Sequence, residues 1–236
     1  MDWHDSLMPI APDYLAVERA VFECAWAGCE TIWIVANDDM APLIRHRLGE
    51  WVQDPVWVGR SLDPYPSQTR KQIPIYYVPI RTRDVGKRDC LAWSVLHGAV
   101  TAFEVSARLS KWVIPRKNYV AFPYGIYDPE ILRQHRKTIS SENPFMLSHQ
   151  DKTVQDGEYL GFTFDKDDFV NARRVIREGT GKYNSAVLEA GQFPREKLPK
   201  EERWSARYFS LDKIFKPVII YKENKVEVPW YHNIDS

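Results

Sequence analysis

The chain has 236 residues, of which 32 are basic and 32 acidic, so its formal charge is zero at neutral pH. That length can bury a sizeable core as one large α/β domain or a domain with a small appendage. The charge balance removes any overall field toward nucleic acid or a membrane surface, so a phosphate site has to be built locally.

The first residues, "MDWHDSLMPIAPDY", carry acids where a signal peptide needs a basic region, and no apolar run approaches the roughly 18 residues of a membrane span. Cys24, Cys29 and Cys90 cannot pair completely and show no C-x-x-C spacing, which favours reduced thiols in a cytosol-like compartment and offers no zinc site. In "LAVERAVFECAWA", Val17, Ala20, Val21, Cys24 and Ala27 share one helical face, and Gly28 is a natural stop. "TIWIVA" (31 to 36) is apolar on both faces and predicts a central parallel strand. "MAPLIRHRLGEWV" returns to helical spacing. Between Gln53 and Pro74, Pro55, Pro64, Pro66 and polar neighbours predict a long surface loop with at most a short strand at "VWVG".

"IPIYYVPI" (73 to 80) is the next buried strand, followed by the loop "RTRDVGKRD" and the longest helical pattern, from Cys90. Tyr119 to Phe122 predict a further strand, and "DPEILRQHRK" a helix. This alternation is the signature of an α/β fold: a mainly parallel sheet with helices on both faces. The C-terminal third, from about 145 to 236, is less regular but stays in the same single domain. There "PFMLSH" and "EYLGFTF" predict strands and "DKDDFVNARRVIREG" a helix, while 179 to 203 reads as a loop or flap. The tail predicts a hairpin through "KENK". Nine tryptophans and twelve tyrosines, scattered along the chain, are read as core filling.

In an open parallel sheet, ligands bind at the carboxyl ends of the strands. Three loops qualify. In "RTRDVGKRD", Arg81, Arg83, Lys87 and Arg88 surround Gly86 just before a helix, which describes either a phosphate cradle or a solvated loop that pairs with Asp84 and Asp89. In "NDD", one acid is expected to cap the helix from Met40, with Asp39 assigned that role and Asp38 left to meet a ligand. After "FPYG", Asp128 precedes Pro129 and reads as a helix cap or a ligand group. Asp235 has no helix after it. The six histidines are single and widely spaced, and no G-x-S-x-G, P-loop or G-x-G-x-x-G is present, so nucleophilic and dinucleotide chemistries are poor fits.

The order of these segments resembles the sugar-phosphate nucleotidyltransferase family, whose fold is the GT-A-like (nucleotide-diphospho-sugar transferase-like) α/β sandwich. "LMPIAPDYLAVERAVFECAWAGCETIWIVAND" resembles the family stretch in which an "lPi" segment leads through a helix and a glycine to a strand ending near the nucleotide. "YYVPIRTRDVGKRDCLAWSVLHGA" resembles the strand facing the base, "YVAFPYGIYDPEIL" the strand that ends in metal-binding acids, "GEYLGFTFDKDDF" the later strand and helix, and "VPWYHNIDS" the closing "W.DIGT" segment. The resemblance implies a nucleoside triphosphate or nucleotide-sugar ligand and magnesium held by Asp128 and Asp235. It also implies catalytic groups at Lys87, Arg88 and Asp128, and substrate contacts at Asp38, Asp39, Arg81, Arg83, Gly86 and Tyr124. The family's triphosphate-gripping loop has no counterpart in "MDWHDS", and Pro123, Tyr124 and Gly125 stand where it has metal-binding acids. Three readings follow: a nucleotidyltransferase-like enzyme, an inactive descendant that binds a nucleotide-sugar or a protein partner or self-associates, and a glycosyltransferase with "NDD" or "DKDD" standing in for D-x-D. The motif losses also resemble a viral, bacteriophage-encoded member, which would act in the host cytoplasm.

Overall fold

A computed structural model describes residues 4–58, 71–85, 90–110, 114–179, 209–219 and 221–235. A 3-10 turn, Asp5–Leu7, leads into the short antiparallel ribbon of β1 (Pro9–Ala11) and β2 (Tyr14–Leu15). Helix α1 (Ala16–Ala27) follows, its start fixed by Glu18, whose carboxylate accepts the Leu15 N–H at 2.7 Å. Gly28, at φ 89°, ends α1, and Cys29 donates its N–H back to the Cys24 carbonyl at 3.1 Å.

The chain continues through β3 (Ile32–Ala36), α2 (Ala41–Leu48), β4 (Trp51–Gln53), the single turn α3 (Pro55–Val58), β5 (Gln72–Pro79) and α4 (Leu91–Leu109). Then come β6 (Lys117–Val120), β7 (Gly125–Ile126), a 3-10 segment Pro129–His135, α5 (Arg136–Ile139), β8 (Met146–Ser148) and β9 (Phe162–Asp165). The described chain closes with α6 (Lys166–Gly179), α7 (Leu211–Phe215), β10 (Lys225–Glu227) and β11 (His232–Asn233).

The protein is α/β, but its sheets are mixed, which corrects the expectation of a mainly parallel sheet. One sheet has the order β3-β5-β4, with β3 and β5 parallel and β4 antiparallel to β5. A second has the order β10-β8-β9-β6, in which only β10 and β8 are parallel. β7 and β11 form a separate antiparallel ribbon. A short apolar run reads the same for either pairing direction, so the parallel choice rested on both-face apolarity and the alternation of strands with helices, which do not decide how β4, β6, β8 and β9 pair.

Other expectations also give way. Among the described residues β3 is an edge strand of its sheet, although α4 covers its upper end: Gly98 sits so close that a Cβ there would come within 2.9 Å of the Val35 side chain. Helix α2 stops at Gly49, at φ 74°, so Trp51 and Val52 belong to β4 and not to the helix. Pro55 to Val58 form a helical turn where the sequence predicted loop or strand. "KENK" is no hairpin, because Lys222–Asn224 is a 3-10 turn and Lys225–Glu227 pairs in parallel with β8. The expected flap lies outside the described residues beyond Gly179.

The largest core cluster joins α4, α6 and α7 to the second sheet through Phe122, Phe162, Phe164 and Phe215, all 1% exposed or less. A further cluster packs α1 against β3 and β5 through Val21, Ala25, Ile32, Ile73 and Ile75. Each fully buried phenylalanine contributes about 1.5–3 kcal/mol of transfer free energy. Helix α4 touches both layers, since His97 Nε2 lies 3.0 Å from the Pro79 carbonyl while Ala92 and Leu96 join the phenylalanine cluster.

Candidate functional site

Because β3 and β5 are parallel and in register to Ala36↔Pro79, the loops that follow them leave the sheet side by side. In the first loop Asn37, not an aspartate, closes the turn: its side-chain oxygen accepts the Met40 N–H at 3.0 Å and its carbonyl accepts that of Ala41 at 2.9 Å. The Asp39 cap expected from sequence is therefore replaced by Asn37, and Asp38 and Asp39 are both exposed. The second loop is a turn over residues 82 to 85, tightened by Asp84 N–H to the Arg81 carbonyl at 2.7 Å. Arg81 lies 3.9 Å from Glu104 on the surface, an exposed pair of little energetic weight, and Arg83 is exposed. Gly86, Lys87 and Arg88, the rest of the expected cradle, lie outside the described residues.

Beyond β6 the chain turns at Pro123 and Tyr124 into the β7–β11 ribbon. Tyr124 receives the Ile234 N–H on its carbonyl at 3.0 Å, and its ring stands 5.2 Å from that of Tyr159. The Asp235 carboxylate faces both phenols. Burial first, and then the charges of Asp235 and Asp5, push the Tyr124 hydroxyl above its ordinary pKa. Burial and hydrogen bonding to Asp235 push Tyr159 up further. Both hydroxyls thus stay protonated donors at neutral pH. The N-terminal turn ties this cluster to the β3 edge, since Leu7 packs with Ile44, Ala36 and Met40 while Asp5 acts on Tyr124.

Asp128 is engaged elsewhere. Its Oδ1 accepts the Glu130 N–H at 3.0 Å and caps the 3-10 segment, and its carboxylate lines a groove with Arg133 and Trp230. Asp128 follows β7 and Asp235 follows β11, two antiparallel strands whose register pairs Ile126 with His232 and Gly125 with Asn233. Among the described residues no group of three or more His, Cys, Asp or Glu side chains is gathered to hold a metal ion. In "DKDD" Asp165 caps α6: its Oδ1 accepts the N–H groups of Asp167 and Asp168 at 2.8 and 2.9 Å.

Sequence reasoning missed a buried polar network directly under this edge. Arg19 and Glu23, one helical turn apart on α1, are 1% and 0% exposed and paired at 2.9 Å. Tyr119 donates its hydroxyl to Glu23 Oε1 at 2.8 Å, the Arg19 guanidinium lies 4.7 Å over the Tyr127 ring, and Arg19 Nη2 donates to the Phe122 carbonyl. Arg19 thereby holds the strand that leads to Tyr124. Burial lifts the Glu23 carboxyl above its ordinary pKa, and Arg19 with the two tyrosines pulls it back only in part. The i, i+4 spacing of Arg19 and Glu23 was the one signal available, and it equally describes a solvated pair.

Compared with known proteins, the chain matches no family model and no curated sequence. Among the described residues no helix is long and apolar enough to cross a membrane.

Proposed function

We propose that the protein is nucleotidyltransferase-like, binding a nucleoside triphosphate or nucleotide-sugar at the edge where β3, β5 and β6 end, in a GT-A-like arrangement. The observation that carries this reading is the parallel register Ala36↔Pro79, which sets the acidic "NDD" loop beside the basic loop from Arg81. Acids suit ribose or sugar hydroxyls, and arginines suit phosphate oxygens. On this reading Asp38 and Asp39 take the hydroxyls, Arg81 and Arg83 take the phosphates, and Tyr124 with Tyr159 donates to the sugar or base. Gly86, Lys87 and Arg88 would extend the phosphate contacts. Magnesium would arrive on the triphosphate, as that ion commonly does, with Asp235 as the carboxylate at the site.

In the catalytic version a sugar-phosphate oxygen attacks the α-phosphorus and pyrophosphate leaves. Lys87 and Arg88 would then stabilise the developing charge. The engagement of the Asp128 carboxylate by the Glu130 N–H favours a second reading, a binding module without transfer activity. A thermal-shift screen of nucleoside triphosphates and nucleotide-sugars, with and without magnesium, tests binding; a ligand at 100 times its Kd adds about 2.7 kcal/mol. Pyrophosphate release in the presence of sugar phosphates separates the two readings. A shift that survives Arg81→Ala with Arg83→Ala would sink the site assignment.

A further inference from the structure

Two cysteines that play no part in the nucleotide reading come together where α1 ends. Cys24 lies in the last turn of the helix and Cys29 just past Gly28, and both are reduced in this structure. The left-handed Gly28, at φ 89°, turns the chain back so that Cys29 donates its N–H to the Cys24 carbonyl at 3.1 Å. Ordinary bond lengths on either side of that hydrogen bond keep the two Cα atoms within about 7 Å, the outer limit at which a disulfide can close. The side chains meet as well. Contact with the Cys29 thiol first, and burial next, push the Cys24 thiol well above its ordinary pKa. We propose that Cys24 and Cys29 are a peroxide-responsive modification site, a dithiol that closes to a reversible disulfide at the end of α1.

The surroundings hold the pair in place. Cys24 packs against the cluster that joins α1 to β3 and β5, and Cys29 against the one built on Leu132, Ile139 and Phe145, so the pair spans the seam between them. Arg136 donates to the Ala25 and Trp26 carbonyls at 2.6 and 2.8 Å, which fixes the last turn of α1 between the two cysteines. Both thiols keep partial exposure, enough for a small oxidant. Cys90 belongs to a different cluster, at the start of α4.

The order of events follows from the protons. Cys24 keeps its own, so Cys29 supplies the thiolate that reacts first. That sulfur attacks one oxygen of hydrogen peroxide, the O–O bond breaks, and hydroxide leaves to take up the proton that Cys29 released. A sulfenic acid results. The Cys24 sulfur then attacks the sulfenic sulfur, the S–O bond breaks, and the oxygen departs as water with the Cys24 proton. In all, two thiols lose two electrons and peroxide becomes two molecules of water. A thiol reductant reverses the change by exchange.

Peptide mapping of the folded, fully reduced protein after treatment with hydrogen peroxide and then an alkylating reagent tests the proposal. Trypsin releases Ala20 to Arg45 as one peptide that carries both cysteines. It should appear unalkylated and lighter by two hydrogens, and dithiothreitol should restore two alkylation sites. In glutathione buffers the folded protein should keep the disulfide under conditions at least about tenfold more reducing than the urea-unfolded chain tolerates. Cys24→Ser should leave Cys29 as a sulfenic acid that dimedone traps, whereas Cys29→Ser should leave Cys24 open to alkylation after the same treatment. Two alkylated thiols in treated wild type, a bond made to Cys90 instead, or a disulfide no more stable in the folded than in the unfolded chain would overturn the proposal. So would dimedone trapping at Cys24 in Cys29→Ser. Nucleotide binding enters none of these readouts, so the pair stands or falls apart from that reading.

Discussion

Replacing Glu23 by glutamine keeps the shape of the side chain and its contact with Tyr119 but removes the charge opposite Arg19. Arg19 would then be a guanidinium at 1% exposure with no anion beside it, since its other contacts are the Phe122 carbonyl and the Tyr127 ring. Breaking a buried pair in this way costs about 3–5 kcal/mol. At about 2–4 °C per kcal/mol for a chain of this size, the melting temperature should fall by roughly 6–20 °C. Urea unfolding at neutral pH, followed by circular dichroism, should show a lower midpoint with little change in slope. The double variant Arg19→Met with Glu23→Leu removes both charges and should recover most of the loss. A Glu23→Gln protein within about 1 kcal/mol of wild type, or a double variant as unstable as the single one, would refute the claim that the pair is buried and mutually dependent.

Three further outcomes can be checked in the same way. Burial alone would lift the Asp54 carboxyl, but the hydrogen bonds and charge of Arg136 outweigh it and hold the pKa below its ordinary 3.8. Its contribution is therefore full above the unfolded value and is lost as pH falls through the folded one, so urea midpoints from about pH 6 down to about pH 2 should fall less steeply in Asp54→Asn. Asn37→Ala should cost about 0.5–2 kcal/mol as a lost cap, whereas Asp39→Ala should leave the melting temperature almost unchanged. Gly125→Ala would drive a methyl group into the Tyr159 carbonyl, and thermal melts should show a loss of about 1–3 kcal/mol or more, with the β7–β11 ribbon displaced.

How far the fold could be read from the chain depended on whether a signal was local. α1, α4 and α6 each carry a long helical stripe, with Gly28 ending α1 and acids in the first turn of α6, and they form almost where the spacing put them. β5 and β9 were equally legible as apolar runs. Pairing was not, because Lys225–Glu227 alternates identically whether it folds back on its own chain or joins β8 in parallel. Trp51 and Val52 were absorbed into the preceding helix because their spacing continued its stripe, although Gly49 marked the break.

The candidate site shows the same division. That "NDD" and Arg81 share an edge follows from two strands running the same way, and the sequence order already indicated it. Which side chain closes the "NDD" turn did not, since Asn37, Asp38 and Asp39 are all competent acceptors and backbone geometry chose the first. Asp54 and Arg136 join α3 to α5 by a contact across 82 positions that no local pattern encodes.

The measurement that tests the central claim most directly is hydrogen exchange of the protein with and without the nucleotide that gives the largest thermal shift. The account predicts slower exchange in peptides covering Asn37 to Ala41 and Ile80 to Val85, the two loops set side by side by β3 and β5. Protection confined to other segments, with these two loops unchanged at saturating ligand, would contradict it.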